Sequence, residues 1–408
     1  MKPLGPIPPG FAAIDGELAV GGRKASVLVA DAGGTPLFVY SADLIRRRVA
    51  ELRVAMPERL RLHYAVKANP FGPVLELLRD LTDGFDIASQ GELGIVLSAG
   101  QDPRRTSFAG PGKRDAELEA AIRHEVTVNL ESEGEARRAL AIGERLGLTP
   151  RLAIRVNPEF ELRGSGMKMG GGARPFGVDA ERVPALARAV IAAGAEWRGL
   201  QVFTGSQALD AGAIVETQGN VLDLAARLTD AIGASLPHLN MGGGFGIPYF
   251  HGDAPLDVAA VGSALEDRFA DLPGELAGTE FAIELGRYLV GEAGIYLARI
   301  VDRKESHGQV FLVTDGGLHH QLAASGNFGT VVRRNYPAAI ATRFGAEAAE
   351  EASIVGCLCT PLDRLADQAL LPRAGEGDLV AIFCAGAYGA TASPSAFLGH
   401  GPAREVLV

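Results

Sequence analysis

Short apolar runs alternate with longer amphipathic stretches along the middle of the chain. Each run ends in polar or glycine residues and is followed by a segment whose apolar positions recur with helical periodicity. Eight such runs cover residues 60–67, 85–89, 106–110, 126–130, 151–158, 199–206, 238–245 and 281–287. The pattern therefore predicts eight strands that alternate with helices.

Three stretches show the helical pattern best. The sequence PVLELLRDL at 73–81 has apolar residues at helical spacing. The stretch 132–147 begins with Ser132 and has Glu135 three residues later, which is the capping-box arrangement of a helix N-terminus. The segment 41–56 is predicted to be the helix that leads into the first strand.

Eight strand–helix repeats are the number found in a (β/α)8 barrel of the TIM type. A doubly wound open sheet is the alternative, and it would fit six strands better than eight. In a (β/α)8 barrel the active site lies at the C-terminal ends of the strands. We therefore predict an α/β fold built on such a barrel, with functional residues where the strands end.

The pattern changes on both sides of this block. Residues 16–40 and 290–390 contain β-rich runs, such as VFLVT at 310–314, and few long amphipathic helices. We expect the two ends of the chain to join into one β domain. The predicted boundaries are 1–40 for the N-terminal strands of that domain, 41–288 for the barrel and 289–408 for the C-terminal β domain.

Composition narrows the class of protein. The chain has 408 residues, of which 47% are hydrophobic and 22% charged, as in an ordinary globular protein. Its net charge of −10 argues against a nucleic-acid partner. The N-terminus lacks the apolar segment of a signal peptide, and no apolar run reaches membrane-spanning length. Three cysteines, Cys357, Cys359 and Cys384, are too few for a disulfide framework, so we expect a cytoplasmic protein.

A lysine closes the first predicted strand, in the sequence HYAVKANP at 63–70. Lysine is rarely buried without a partner, and a lysine at the end of a strand is often a surface residue. A lysine in a partly apolar pocket is instead a nucleophile toward aldehydes. Lys67 alone leaves both interpretations open.

Other strand ends carry residues suited to binding an anion. MGGGFG at 241–246 is either a packing turn or a phosphate cradle; it is not a dinucleotide-binding fingerprint, because Ile247 stands where the third glycine would be. Ser206 and Arg287, at neighbouring strand ends, favour phosphate. Glu284 lies in an apolar run, where a carboxylate either pairs with Arg287 or holds a heterocyclic nitrogen protonated.

A lysine for a Schiff base, a phosphate cup and an acid for a pyridine nitrogen together describe a site for pyridoxal 5'-phosphate. The chain resembles the barrel-type (fold type III) pyridoxal-phosphate decarboxylases, the diaminopimelate and ornithine decarboxylase family, over nearly its whole length. The motifs that carry the resemblance are YAVKAN (64–69), FDIASQGEL (85–93), GSQ (205–207), MGGGFG (241–246), ELGR (284–287), GCLCTPLD (356–363) and GAYG (386–389).

The resemblance implies a barrel plus a C-terminal β domain completed by the N-terminal strands, and a homodimer with shared active sites. It assigns the Schiff base to Lys67, the pyridinium partner to Glu284, and the acid that protonates the carbanion to Cys359 of the neighbouring subunit. The residues implied to bind the cofactor are Lys67, Asp86, Phe203, Ser206, Gly242, Gly243, Gly244, Glu284, Arg287 and Tyr388. Those implied to contact the substrate are Thr360, Asp363 and Tyr388.

The expected reaction is decarboxylation of an amino acid at its α-carboxylate. A racemase and a non-catalytic cofactor-binding regulator are the alternatives. Racemases of this fold typically place an arginine beside the ring nitrogen, so Glu284 favours decarboxylation. Intact Lys67, Glu284 and Cys359 argue against a regulator.

The chain departs from the family pattern at several positions. Phe203 stands where a histidine usually stacks on the cofactor, Leu285 replaces a proline, and Thr360 replaces the acid that meets the distal amine of the substrate. The arginine-rich segment that grips the distal carboxylate of diaminopimelate is not recognisable, and DGGLHHQLAASGNFG (315–329) lies in its place. These departures favour a substrate other than diaminopimelate, either a small amino acid or an aminoacyl group on an acyl carrier protein. The combination most resembles the exosortase-associated pyridoxal-dependent decarboxylase subgroup.

His319 and His320 form the one histidine pair in the chain. We interpret them as polar loop residues, because no third ligand stands at a spacing familiar from zinc sites. No metal site is expected.

Overall fold

The computed structural model describes residues 1–164, 166–326 and 333–408. Residue contacts divide the chain into two compact units. One comprises Met1–Arg48, Ile247–Ala254 and Arg287–Val408, and the other comprises Val49–Gly246 and Pro255–Gly286. The boundaries predicted from the sequence alone stay a prediction.

Within the described residues, the second unit is built on eight parallel strands that close into a barrel. In order, the first to eighth barrel strands are Leu60–Ala65, Gly84–Ile87, Thr106–Phe108, Thr127–Leu130, Arg151–Asn157, Glu196–Val202, His238–Gly243 and Glu280–Leu285. The eighth strand pairs with the first through Phe281 opposite Leu60, which closes the ring. The predicted (β/α)8 barrel is confirmed, and each strand lies within a few residues of its predicted position.

Helices connect the barrel strands, as the alternating pattern predicts. They are Gly72–Leu81, Gln90–Ser98, Asp115–Arg123, Glu133–Leu146, Val183–Ala192, Ala211–Ile232 and Val258–Ala270. Ser132 caps its helix by accepting a hydrogen bond from the Glu135 amide over 3.1 Å. The Glu135 side chain accepts from the Glu131 amide over 2.7 Å rather than from Ser132. The predicted helix start is therefore confirmed. The second hydrogen bond of a capping box would join the Glu135 side chain to the Ser132 amide, and here it joins the amide one residue earlier.

The first unit combines both ends of the chain in β structure. Its strands are Ala12–Ile14, Glu17–Val20, Arg23–Lys24, Leu37–Tyr40, Gly294–Ser306, Gln309–Thr314, Ala338–Ile340, Glu350–Val355, Arg364–Leu371, Leu379–Ile382 and Arg404–Leu407. Leu37–Tyr40 pairs antiparallel with the strand that begins at Gly294 and parallel with Arg404–Leu407. Leu18, Leu37, Ile295 and Phe383 share one buried cluster, which confirms that N-terminal strands complete the C-terminal β domain.

Shorter elements complete the chain. The remaining α-helices are Ala25–Asp31, Ala42–Ala55 and Arg287–Val290, and the remaining strands are Met167–Lys168, Val178–Asp179 and Gly205–Ser206. The 3-10 helices are Val66–Ala68, Pro103–Arg105, Ala180–Arg182, Gly274–Leu276, Gly291–Ala293, Leu322–Ser325, Ala341–Arg343 and Phe397–Gly399. Among the described residues, no helix has the length and apolar character needed to cross a membrane.

Candidate active site

Lys67 lies in a 3-10 turn that directly follows the first barrel strand. Its neighbours Val66 and Ala68 are buried, whereas Lys67 itself is exposed. The Tyr64 hydroxyl donates to the Asn69 carbonyl over 2.9 Å and spans the turn. The apolar run therefore ends in the turn, and the turn brings the lysine amine out of the barrel wall at the C-terminal end of the strand.

Phe203 follows the sixth barrel strand and meets this lysine. The Lys67 Nζ lies 5.2 Å from the centre of the Phe203 ring, within the range of a cation–π contact. The ring is buried and packs near Gly242 of the seventh strand. The residue that replaces the usual histidine thus presents an apolar ring beside the lysine, and it cannot donate a hydrogen bond or change charge.

Glu284 is a buried carboxylate on the eighth strand, with 5% of its surface exposed. Its Oε2 accepts hydrogen bonds from Gln201 Nε2 over 2.7 Å and from Asn240 Nδ2 over 2.9 Å. Burial raises the pKa of Glu284, the nearby charge of Asp86 raises it further, and the positive charge of Lys67 opposes this. A buried carboxylate with a raised pKa is suited to a cationic partner, such as a protonated ring nitrogen.

Asp86, on the second strand, is held by two neighbours. The Ser107 hydroxyl donates to its Oδ1, and its Oδ2 lies 3.5 Å from His63 Nδ1. Burial opposes a charge on His63, but Asp86, together with Glu284 and Asp83, outweighs burial, and the pKa of His63 is raised. The neighbouring His238 has its pKa lowered to about 3, chiefly by burial. Asp86 therefore contributes negative charge to the barrel interior near Glu284.

The glycines of the seventh strand lie against the backbone of both neighbouring strands. A Cβ on Gly243 would lie 2.0 Å from the Glu284 carbonyl oxygen, and one on Gly242 would lie 2.4 Å from the Val202 carbonyl oxygen. Gly242 and Gly244 have φ values of 70° and 85°, in the left-handed region that favours glycine. Close packing thus accounts for all three glycines. Their predicted role as a phosphate cradle stays a prediction.

Ser206 belongs to a segment tied to these glycines. The Ala208 amide donates to the Gly244 carbonyl over 2.9 Å, and the Gly246 amide donates to the Ala208 carbonyl over 2.8 Å. Ser206 itself is half-buried. A hydroxyl and a bend of glycine backbone therefore lie on adjoining segments at the same end of the barrel, an arrangement suited to binding an anion.

Arg287 lies in the other unit, at the start of the helix Arg287–Val290. Its Nη1 donates to the Tyr249 hydroxyl over 2.7 Å, and its guanidinium carbon lies 4.7 Å from the centre of the Tyr388 ring. Its Nε is buried without a hydrogen-bond partner among the described residues. Burial opposes the charge, but Tyr249 and Tyr388 outweigh it and the pKa of Arg287 is raised. A fixed cation with an unpaired N–H group is suited to an anion.

Tyr388 has a strained backbone. Its φ of 58° lies in the left-handed region, which is costly for a residue with a side chain. Such outliers persist where the surrounding structure demands them, and they cluster at functional sites. The strained backbone of Tyr388 is therefore consistent with a functional role for the GAYG motif, but it does not identify that role.

Cys359, Thr360 and Asp363 follow the strand Glu350–Val355 in one loop. Cys359 is exposed and Thr360 is half-buried. Asp363 is only 3% exposed, and its two carboxylate oxygens accept from the amides of Leu318 over 2.7 Å and Leu358 over 2.9 Å. The Asp363 carboxylate thus holds the loop together, and its predicted contact with a substrate stays a prediction.

Sequence reasoning missed three residues of these clusters. Gln201 and Asn240 orient Glu284, and Tyr249 pairs with Arg287. Neither Gln201 nor Asn240 carried a clear signal, because each strand contains other polar residues as well. Tyr249 carried no signal either.

His319 and His320 lie in a loop, as expected, but both rings are buried. Burial of two adjacent histidines is unusual for polar loop residues. Residues 327–329, at the end of the segment 315–329, lie outside the described residues.

Comparison with known proteins identifies the family to which these site residues belong. Residues 42–291 match the family described as pyridoxal-dependent decarboxylase, pyridoxal binding domain. The chain is 34% identical over 379 residues to the L-glutamyl-[BtrI acyl-carrier protein] decarboxylase of Niallia circulans, covering 91% of this chain and 88% of that protein. It is 33% identical over 404 residues to the diaminopimelate decarboxylase of Methanothermobacter thermautotrophicus, covering 96% and 91%. The diaminopimelate decarboxylase of M. jannaschii, solved in complex with L-lysine, superposes with a TM-score of 0.85 at 25% identity, covering 98% of this chain and 93% of that one.

The residues of the barrel fit pyridoxal phosphate. Glu284 is a buried carboxylate that favours a cation, Lys67 presents an amine beside an aromatic ring, and the seventh strand ends in glycine backbone. The relatives named above are decarboxylases, which supports decarboxylation over the racemase and regulator alternatives. The chain therefore belongs to the pyridoxal-dependent decarboxylase family and is a pyridoxal-phosphate-dependent amino-acid decarboxylase.

Proposed function

We propose that the substrate is an amino acid attached through its distal end to an acyl carrier protein, with a glutamyl group as the leading candidate. The observation that carries this proposal is the state of the loop 356–363. Thr360 stands where the family has an acid, and the loop's only acid, Asp363, is committed to two backbone amides. The loop therefore offers no available carboxylate to a distal ammonium group.

The argument is electrostatic. Diaminopimelate, lysine and ornithine each carry a second ammonium group, and an ion that leaves water without a partner costs several kcal/mol. The Thr360 hydroxyl is neutral, and it already accepts from the Leu362 amide at 3.4 Å. A distal group that is joined to a carrier is uncharged and avoids this cost. The relative from Niallia circulans, which is named for a glutamyl group on a carrier protein, is consistent with this choice.

The proposed roles within the barrel follow from its contacts. Lys67 attaches the cofactor, and Glu284 keeps a proton on the pyridine nitrogen. Gln201 and Asn240 orient Glu284 by donating to the same carboxylate oxygen. When bound, pyridoxal phosphate supplies a conjugated ring that withdraws the electron pair left by the departing carboxylate. Asp86 keeps the barrel interior negative, which favours the protonated ring.

The proposed phosphate contacts are those that the family resemblance implies: Ser206, Gly244, Arg287 and Tyr388. The Arg287 guanidinium lies over the Tyr388 ring, and its Nε–H group has no hydrogen-bond partner among the described residues. A charged fork and backbone amides are the usual means of holding a phosphate.

We further propose that the active form is a homodimer with shared sites. Cys359, the proposed donor of the proton to the α-carbon, is exposed on its own chain. The same unit also exposes Leu362, Phe397 and Leu398, and exposed apolar side chains favour a surface covered by a partner. A second subunit would bring Cys359 to the site. A cytoplasmic location is part of the proposal, and it agrees with three cysteines that form no disulfide.

The test is a direct comparison of tethered and unattached substrates. A carrier protein loaded with a glutamyl group is incubated with the holoenzyme, and carbon dioxide release is measured together with the mass of the carrier. We expect the carrier to lose one carbon dioxide, and unattached glutamate, diaminopimelate, lysine and ornithine to react far more slowly. Lys67→Ala is the control for release without the cofactor. Equal or faster turnover of the unattached amino acids would contradict the proposed substrate while leaving the decarboxylase activity intact.

A further inference from the structure

Three side chains from distant parts of the chain converge in the first unit: His319, Cys357 and His400. They are referred to as the histidine–cysteine cluster. Their donor atoms all lie within 4.8 Å of one another, and Cys357 Sγ lies 3.9 Å from His400 Nε2. Each comes from a different loop, so only the tertiary fold brings them together.

His319 is the unusual member of the cluster. Its side chain is 0% exposed, and neither ring nitrogen has a hydrogen-bond partner in the described residues. A buried polar group without a partner is destabilising, because it has lost its hydrogen bonds to water, so native structures rarely contain one without a reason. The unpaired imidazole is therefore a candidate to bind a group that the protein itself does not supply.

The adjacent His320 provides the contrast. Its Nδ1 lies 3.0 Å from the Tyr296 hydroxyl, and its Nε2 lies 3.0 Å from the Gly401 carbonyl oxygen. Both of its nitrogens are thus satisfied by the protein. Of this pair, only His319 lacks hydrogen-bond partners among the described residues. Its ring lies between those of His320 and His400, with centroid distances of 3.8 Å and 4.9 Å.

We propose that His319, Cys357 and His400 bind a divalent transition-metal ion, with Zn²⁺ as the expected occupant. Two imidazole nitrogens and one thiolate are a donor set that zinc prefers, whereas magnesium and calcium require oxygen. Bond lengths of about 2.0–2.3 Å place tetrahedral zinc ligands roughly 3.3–3.7 Å apart. The observed separations exceed this range by about 1 Å at most, which side-chain rotation can close. The fourth position is left for water or another ligand.

The site has a consequence for the loop 356–363. Cys357 lies two residues before Cys359 and three before Thr360, so a metal on Cys357 would anchor the segment that carries both. It would also tie that loop to the C-terminal segment through His400. The proposed metal is therefore a structural clamp on a loop with functional candidates, and it does not depend on which substrate the enzyme uses.

The experiment measures metal binding by holoenzyme purified without a histidine tag. Chelator-treated protein is titrated with Zn²⁺ in competition with a chromophoric chelator, and with Co²⁺ to observe the thiolate-to-metal absorption band. We expect one ion per chain and a thiolate band with Co²⁺. Cys357→Ser should abolish the band, and Cys357→Ser and His400→Gln should each weaken Zn²⁺ binding about tenfold or more.

Two matched controls separate this site from general affinity for metals. Cys359→Ser removes a nearby exposed thiol, and His251→Gln removes an exposed histidine outside the cluster. Both should bind one ion with unchanged affinity. His400 is exposed, so its variant tests the site even if substitution of the buried His319 impairs folding. Absence of stoichiometric binding in the wild type, or equal binding by the cluster variants and the controls, would overturn the proposal.

Discussion

Asn240 donates a hydrogen bond of 2.9 Å to Glu284 Oε2. The carbonyl oxygen of the same side chain accepts from the Gly242 amide, also over 2.9 Å. One residue therefore couples the orientation of the buried carboxylate to the backbone of the glycine segment. Gln201 donates to the same carboxylate oxygen, but its own Oε1 has no hydrogen-bond partner among the described residues. This difference makes the two amides separable by experiment.

We predict that Asn240→Leu weakens both cofactor binding and turnover. The substitution removes the support of Gly242 and one donor to Glu284 while keeping a similar volume. Gln201→Met is the matched control, because it removes only a donor to Glu284 and should lower the rate with little change in cofactor affinity. Cofactor affinity is measured by titrating apoprotein and following absorbance. Equal losses of affinity in the two variants would show that Asn240 does not organise the glycine segment.

Glu284→Gln should bind cofactor but lose activity. The amide keeps the shape of the side chain but removes the negative charge that favours a protonated ring. One such charge interaction is typically worth roughly 10²–10³ in rate. The measurement is single-turnover decarboxylation at saturating cofactor. A variant with near-normal rate would remove Glu284 from the mechanism.

The same variant gives a stability prediction with a defined sign. Burial raises the pKa of Glu284 above its ordinary value of 4.5. The folded protein therefore holds this proton more tightly than the unfolded chain, and the resulting stability is present below pH 4.5 and is lost as pH rises through the raised pKa. In cofactor-free protein, Glu284→Gln should avoid that loss. The melting temperature of Glu284→Gln minus that of the wild type should be larger at neutral pH than at acidic pH. A difference that does not change with pH would contradict the prediction.

Lys67 is predicted to carry the cofactor. Borohydride should fix the cofactor irreversibly on this lysine, and peptide mass spectrometry should find the label in the segment that contains residues 64–69. Lys67→Ala should lose the label and the turnover, since no other amine occupies the end of the first strand. A label on a different lysine would disprove the assignment.

The barrel was predictable because its strands are buried apolar runs with polar ends. The same logic explains a small error at Lys67, where the apolar run extends through Val66 although the strand ends at Ala65. Hydrophobic periodicity reports burial, and a buried 3-10 turn resembles a strand in this respect. The glycines at 242–244 were predictable as special backbone positions, but sequence alone could not separate close packing from anion binding.

Long-range polar partners were not predictable. The two amides that orient Glu284 come from other strands, and each looks like an ordinary polar residue in its own segment. The histidine–cysteine cluster is a stronger case, since metal-site reasoning depends on local spacing and its three ligands come from three loops. Asp363 is a further example: its carboxylate accepts from backbone amides of two loops, which the sequence did not show, and its predicted substrate contact stays a prediction.

The proposed homodimer with shared sites predicts complementation. Lys67→Ala and Cys359→Ala should each be inactive as pure proteins. Mixed subunits should regain activity, because one site of a hybrid dimer would contain both wild-type residues. Subunit exchange is verified with differently tagged chains. No recovery despite proven exchange would place Cys359 in the site of its own chain or outside the mechanism.

Thr360 is predicted to set the charge preference for the distal end of the substrate. Unattached diaminopimelate, lysine and ornithine should be poor substrates of the wild type, because their distal ammonium groups would lack a carboxylate partner in the loop 356–363. Thr360→Glu should improve turnover of these diamino acids and impair that of a carrier-bound glutamyl group. Thr360→Gln is the matched control, since it adds similar volume without charge and should not help the diamino acids. The measurement is the steady-state specificity constant of the wild type for each diamino acid. A value in the ordinary enzyme range, roughly 10⁴ M⁻¹s⁻¹ or above, would contradict the prediction. It would show that the distal ammonium group has a carboxylate partner elsewhere in the site.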